Sequence, residues 1–543
     1  MNNRAFAVFA YVIGITLLGV TSCGQKTPQG HYVVNNLSIL PDPINISITP
    51  DSRHIMYVKT HGSKKQVVFD TTAGPEFDGV YVDNTFVTTS DMKRIGYAIA
   101  TNKAAPGDCA TCGPPGKWRA VIDSQFGPEY DKVGGITFNH DGSSVAYNAM
   151  KKKKDGRVEW ITVINGKEVP GTYEAVSFYS PKFGPDGKNV YNVAKKKNGK
   201  SIVVVNDTEG VEFDKIGYGI PFLSADGKHF AYTGINYVGN GAVVVLDGKA
   251  GPNFDVIPET SLVFSPDSKH FSYGTHTGSN WQVIADGKPQ SKYAQVDNII
   301  YSSDSKYLSY KAQKGNKWTV VVNGKEGVLY DSLMNGFPVY SPDRQYLAYS
   351  FKKNGKWKIA VEEVKTRKNA GERYFTTEIK EGYDEITSCT FSPDSKRLSF
   401  VAREGRKKVV FVDGKKVGDS YDDIVKSPVF SPDGKRMAYL AKIKRGDNDS
   451  DYIVVVDGKA GPECNAVLKE DPSVIVFSAD SKHVGYAASI DGKWCLVING
   501  QKGPEPFETI CNLVNSAKGG FESLVVNKKA LYRVNWYPDN AVH

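Results

Sequence analysis

Histidine is scarce in this chain, nine in 543 residues, and its placement argues against a metal centre. His54, His229, His270 and His483 each follow the Lys or Arg of a recurring turn, and the other five have no neighbour at ligand spacing. There is no His-Glu-x-x-His pair, no Gly-x-Ser-x-Gly elbow and no glycine-rich phosphate loop. No catalytic residue, metal or cofactor is therefore expected. Past the first two dozen residues no apolar run is long enough to span a membrane. The charge balance, 68 basic against 59 acidic residues, is only mildly basic. Aromatics interleave poorly with the basic runs, so nucleic acid is not an expected partner.

What the chain does have begins at its N-terminus. Arg4 is the only charge before an apolar run from Ala5 to Val20, the pattern of an export signal. The run ends in Val20-Thr21-Ser22-Cys23, which resembles a bacterial lipobox. That resemblance implies cleavage of residues 1–22, lipidation of Cys23 and a polar tether over 23–30. Gly24 after the cysteine implies the outer membrane, and several acyl chains anchor stably where one does not. The only membrane contact expected is through this anchor.

From residue 31 onward a segment of about forty residues recurs twelve times. Its clearest mark is Ser-Pro-Asp-Gly/Ser-Lys, as in Ser265 to Lys269, Ser392 to Lys396 and Ser431 to Lys435. In the copy from Ser261 to Val296 a short strand enters this turn and His270 to Gly274 alternates as a second strand. Trp281 to Ala285 forms a third, and Asp286-Gly287 supplies a tight hairpin into a fourth. Four antiparallel strands in forty residues make one propeller blade. The fold class is all-β, with about twelve four-stranded blades. Twelve exceed the usual single ring, so two tandem propellers are expected, 31–296 and 297–543, six plus six or five plus seven. The last copy offers only three strands, and the strand near His31 to Val34 is expected to complete it. Lys365 to Glu381 reads as an insertion in blade 8.

The turn followed by Lys/Arg-x-apolar-Ala/Ser-aromatic, as in Lys435 to Tyr439, resembles the WD40-like repeat of the TolB propeller family. The resemblance covers 45–543 and implies a scaffold or binding module more than an enzyme. The TolB family's N-terminal α/β domain has no counterpart here.

Recurrence sorts the remaining candidates. Six tryptophans (118, 160, 281, 318, 357, 494) start third strands and are expected in the packing between blades. The turn aspartates stand singly on separate blades and cannot assemble a calcium shell. What breaks the repeat is more informative. Cys109 and Cys112 sit in an enlarged loop and are expected to close it as a disulfide, and Cys495 and Cys511 fall on adjacent strands that place them as a second pair. Cys389 and Cys464 read as buried singles. Loops joining second to third strands carry Lys151, Lys152, Lys153, Lys154 and Arg157, then Lys195, Lys196 and Lys197, then Lys352 and Lys353. All such loops emerge on one face of a propeller, where they would attract an anionic partner. The expected function is a non-catalytic, lipid-anchored envelope scaffold that binds an envelope protein or an anionic envelope polymer. The alternatives are an enzyme or small-ligand receptor with a site in a central channel, and a glycan-binding module.

Overall fold

A computed structural model describes residues 30–39, 47–48 and most of 54–538; the longest stretches outside the description within that last span are 101–116 and 370–381. Among the described residues there are twelve antiparallel sheets in chain order. We number them as blades 1 to 12, over 47–77, 81–126, 132–168, 175–209, 215–254, 263–293, 295–326, 332–363, 385–421, 423–464, 466–502 and 509–538. Blade 12 is completed by Gly30–Ile39, which pairs antiparallel with Ala530–Pro538 from Gly30↔Pro538 to Ile39↔Ala530. The N-terminal strand thus covers the last sheet edge, as expected, and completes the last blade of a β-propeller fold.

The repeat's residues explain the blade. In the Asx-Gly hairpins Asn165, Asp247, Asp286, Asn323, Asp413, Asp457 and Asn499 all have φ between 46° and 52°, and a glycine follows each with positive φ. Both central residues are left-handed, as a type I′ turn requires. The turn residue's Oδ1 then accepts the backbone N–H that starts the second strand, as Asp286 does from Phe271 at 2.9 Å and Asn499 from Val484 at 3.0 Å. The Ser-Pro-Asp turn is likewise closed on itself. Ser265 Oγ donates to Asp267 Oδ1 at 2.6 Å and accepts from His270 N at 2.9 Å, while Asp267 Oδ1 also accepts from Lys269 N.

Each blade then covers its neighbour. The second-strand tyrosines Tyr310, Tyr349, Tyr439 and Tyr486 are among the most buried side chains. Their rings supply large apolar areas to the space between sheets. The glycine of the Gly-Pro-x-Phe/Tyr-Asp segment makes room for the next blade's tyrosine. A Cβ on Gly74 would lie 2.9 Å from Tyr97 Oη, and one on Gly461 2.8 Å from Tyr486 Oη.

Two polar devices repeat at the joints. In one, a serine of the following blade accepts from the turn Asp backbone: Asp226 N to Ser268, Asp267 N to Ser305, Asp343 N to Ser395 and Asp433 N to Ser481, all at 2.8–3.0 Å. In the other, the Asp that ends one blade's outer segment ties two blades together. Asp214 accepts Lys200 Nζ at 2.7 Å from its own blade and Tyr237 N at 2.7 Å from the next. Asp384 does the same with Lys356 Nζ and Gly405 N, and Asp422 with Lys407 Nζ and Lys444 N.

The expected boundary at 296/297 needs correction, because it falls inside the strand Gln295–Tyr301. A division between blades would come at 294. The joint there is built like the others, with Asp267 N to Ser305 Oγ at 2.9 Å, Ser272 Oγ to Tyr301 Oη at 2.6 Å and a shared core of Val283, Tyr293, Val296 and Tyr310. The joint between blades 5 and 6, where a five-plus-seven division would come, has the same serine bond and a core joining Ala231 to Tyr273. Neither place is marked by weaker packing among the described residues. Blade 8 does depart from the pattern: among the described residues its third strand, Lys356–Glu363, meets only the isolated bridges Glu362↔Asn369 and Trp357↔Tyr383 on its outer side, and most of the expected insertion lies outside the described residues.

Deleting residues 1–40 should expose the edge of Ala530–Pro538, lower the melting temperature and promote concentration-dependent aggregation, read by thermal scanning and light scattering. A full-length melting temperature would contradict the closure. Acid should also destabilise the joints. The carboxyls of Asp214, Asp384 and Asp422 are held below the ordinary range chiefly by the bonded lysines, then by the backbone N–H groups. A depressed folded value stabilises above the unfolded value of about 4 and loses that contribution as pH falls through the folded one. The melting temperature is therefore expected to hold between neutral pH and about pH 5 and to fall steeply below about pH 4.

Candidate functional site

The recurring candidates prove structural. His54, His229 and His270 bond the hairpin aspartates Asp70, Asp247 and Asp286 at 2.6–2.8 Å, and His483 bonds Asn499 at 2.9 Å. Each histidine ties its turn to the adjacent hairpin, a role that Arg397 and Arg436 fill with Asp413 and Asp457. Among the described residues no group of three or more His, Cys, Asp or Glu is placed to hold a metal ion.

Cys23, Cys109, Cys112 and Cys511 lie outside the described residues. Cys495 is a free, buried thiol whose Sγ donates to Ala488 O at 3.5 Å, so the expected bridge from Cys495 to Cys511 is not formed. Its strand turns the sulfur into the core shared with Cys464 of blade 10. Cys389 and Cys464 are buried and free, as read from the repeat.

In blades 3, 4 and 8 the basic loops join the second strand to the third, at the same end of each sheet. Most of their charge is answered locally, however. Lys151 pairs with Glu168 at 2.6 Å, Lys153 and Lys197 with Glu159 at 3.0 and 3.3 Å, and Lys195 with Glu174 at 3.9 Å. Lys196 bridges Glu209 and Glu212, and Arg157 pairs with Asp155. Among the described residues Lys152, Lys154, Lys352 and Lys353 have no ion pair. Such exposed pairs add little stability, but they do cancel field. The expected positive face is thus a lattice of paired charges with a few free ammonium groups.

An apolar feature interrupts this lattice. At the tip of the corresponding loop in blade 5, Tyr237 is 64% and Val238 93% exposed. Val256, 46% exposed, follows the outer strand of the same blade at the same end and bridges to His276. The loop's base is held, since Tyr237 N donates to Asp214. The sequence signal was one Tyr-Val step in a class of loops otherwise rich in lysine.

A second feature is a cavity of about 710 Å³ between blades 7 and 8. Its wall includes Lys311, only 2% exposed, and Asp297, the residue directly opposite it across the first two strands of blade 7. Lys311 Nζ lies 4.9 Å from the Trp318 ring centroid, within cation–π range. Burial pushes the lysine's pKa down, and Asp297 opposes that shift. Asp297 Oδ2 also accepts Gln295 Nε2 at 2.8 Å, and Trp357 and Ser332 enter from blade 8. Two of the tryptophans assigned to packing, Trp318 and Trp357, therefore also face open space. Lys311 follows the recurring tyrosine of the second strand, where Val58, Ala98, Asn148, Asn192, Thr233, Gly274, Ser350 and Leu440 stand in other blades. A charge at this one place was the available signal, visible once the copies are aligned by their tyrosines.

Burial raises the thiols of Cys389, Cys464 and Cys495 above the ordinary range, Cys464 to about 12. All three should resist a thiol reagent at pH 8 in the native protein and react on unfolding, as mapped by peptide mass. Native labelling of Cys495 would contradict its burial.

No protein-family model matches the chain, and no curated protein matches it. Among solved structures it is similar to a eukaryotic initiation factor (14% identity, 64% of this chain and 94% of that one, TM-score 0.36). It is also similar to TolB from Acinetobacter baumannii (12%, 58% and 78%, TM-score 0.26) and to the β-propeller domain of the Trilobed protease from Pyrococcus furiosus (14%, 61% and 95%, TM-score 0.23). Likeness of this size bears on neither activity nor partner. The fold rests on the chain's own repeats and sheets: it is an all-β propeller fold, with twelve blade-like antiparallel sheets among the described residues.

Proposed function

We propose that the protein is a non-catalytic binding module of the cell envelope. It is held at the outer membrane by lipid on Cys23 and docks a protein partner on the face formed by the second-to-third-strand loops. The observation that carries this reading is the exposed Tyr237–Val238 tip. Adjacent apolar side chains presented on a held loop, within a rim of paired charges, match the composition of a protein-binding patch. The local pairing of Lys151, Lys153, Lys195, Lys196 and Lys197 favours a protein over an anionic polymer, because a polyanion would have to displace these carboxylates. The export signal and the lipobox-like Val20 to Cys23 support the location.

A photo-crosslinking residue at position 238 should give a discrete protein adduct in cells, and one at Lys228, in a turn at the opposite end of blade 5, should give none. Tyr237→Ser should weaken the adduct. Equal crosslinking from both positions, or none, would count against docking on this face. Separately, Cys23→Ala should move the protein from the membrane fraction to the soluble one, and unchanged fractionation would rule out the lipid anchor.

A further inference from the structure

We propose that blades 9, 10 and 11 lay their turn end, where the Ser-Pro-Asp turns and Asx-Gly hairpins sit, against an anionic phospholipid surface. This is a second membrane contact beside the anchor, and it points the Tyr237–Val238 tip away from the bilayer. The orientation rests on the lipid at Cys23 proposed above, whereas the contact itself rests on charge.

The first observation is where the N-terminal strand begins. In blade 12 the second and third strands meet at Asn527↔Ala530, so Ala530 is at the loop end and Pro538 at the turn end. Gly30 lies opposite Pro538, and the N-terminal strand therefore starts at the turn end. Cys23 is seven residues before Gly30. That length of chain, fully extended, reaches only about 25 Å. A blade is about as tall: the seven residues of Leu398–Glu404 rise about 23 Å. To lay the loop end on the bilayer, the tether would have to run fully extended along the whole height of a blade.

The second observation is the charge at that end. The turns and hairpins of blades 9 to 11 (392–397, 413–415, 431–436, 457–459, 478–483 and 499–501) carry seven basic and five acidic residues. The matching residues of blades 4 to 6 carry five and six. Lys396, Lys415, Lys459 and Lys482 are exposed and have no ion pair among the described residues. The turn carboxylates are engaged within their own turns: Asp394, Asp433 and Asp480 each accept a serine Oγ at 2.6 Å and a backbone N–H. At the loop end of blades 9 and 10 the bases are answered instead, Arg403 by Glu385, Lys407 by Asp422 and Arg445 by Asp451.

The third observation is that the lysines are held in a row. Arg397 Nη1 donates to Lys435 O at 2.8 Å and Arg436 Nη1 to Lys482 O, which ties three successive turns side by side. The His483 ring in the blade 11 turn lies 4.9 Å from that of Trp536, two residues before Pro538. The row thus begins beside the strand that pairs with Gly30. Each ammonium held within a Debye length of an anionic leaflet adds attraction. A discrete partner is met once, but a bilayer is met by every blade that faces it, so recurring exposed lysines suit it.

The test uses the full chain, purified in detergent and mixed into phosphatidylcholine vesicles with or without phosphatidylglycerol. A fluorescent amino acid is placed at Pro393, in the blade 9 turn, or at Arg406, in the loop at the other end of the same blade. With phosphatidylglycerol present, position 393 should transfer about twofold more energy to an acceptor on the lipid headgroups, the difference one strand height makes. Most of that excess should disappear in the combined Lys396→Gln, Lys415→Gln, Lys459→Gln and Lys482→Gln variant, whose melting temperature checks its fold, and in neutral vesicles. Equal transfer from both positions, or more from 406, would overturn the proposal. So would an excess unchanged in the folded variant, or a discrete protein adduct in cells from a photo-crosslinker at 393, which would make this end a protein site. Flotation with neutral vesicles depends on the anchor alone. Its loss would sink the lipid on Cys23 and leave the transfer ratio on anionic vesicles to decide the surface.

Discussion

The tie between blades through a single carboxylate is the constraint on which the architecture depends. A four-stranded sheet has two faces to cover, and each blade covers one face of the next. That arrangement holds only if the angle between sheets is fixed. Asp214, Asp384 and Asp422 fix it by bonding a lysine of their own blade and a loop N–H of the following one. The serine bond at the Ser-Pro-Asp turn fixes the other end of the joint. With both ends set, the tyrosine and its glycine notch interlock between them. The apolar surface supplies most of the stabilisation, and the polar ties specify which of many sheet-on-sheet packings is adopted.

The same constraint separates structural from functional residues. A side chain that serves the joint must recur, as the histidines above the hairpins do. One that serves a ligand or partner has no reason to. Tyr237 and Val238 break the pattern without improving the joint, and both face solvent.

Much of the fold was legible because the repeat states it twelve times over: the strand order, the hairpins and the closing strand all follow from turn chemistry. The positions of blade joints were less so. A boundary guessed at 296/297 landed inside a strand, because the linking residues there are as strand-like as the strands. The charge on the loop face was misjudged for a different reason. Lysine runs are conspicuous in sequence, whereas Glu159, Glu168 and Glu209, which pair with them, lie scattered through the following strands. The Cys495–Cys511 pairing failed on the direction of a side chain, which depends on the face of the sheet and not on proximity in the chain. Lys311 was invisible as a motif, because its significance is a difference between copies.

The strand Gly30–Ile39 is among the first parts of the fold to be synthesised and pairs with the last. Its partner lies about 500 residues downstream, so this contact closes the longest loop and carries its full entropic cost. Until Ala530–Pro538 arrives, the N-terminal strand is an unsatisfied edge beside a growing stack of blades, each able to accept it wrongly. The molecule therefore commits its interior early and its identity as a closed body late. A chain of this design has to be kept from pairing prematurely, and the arrival of Ala530–Pro538 gives the N-terminal strand its partner.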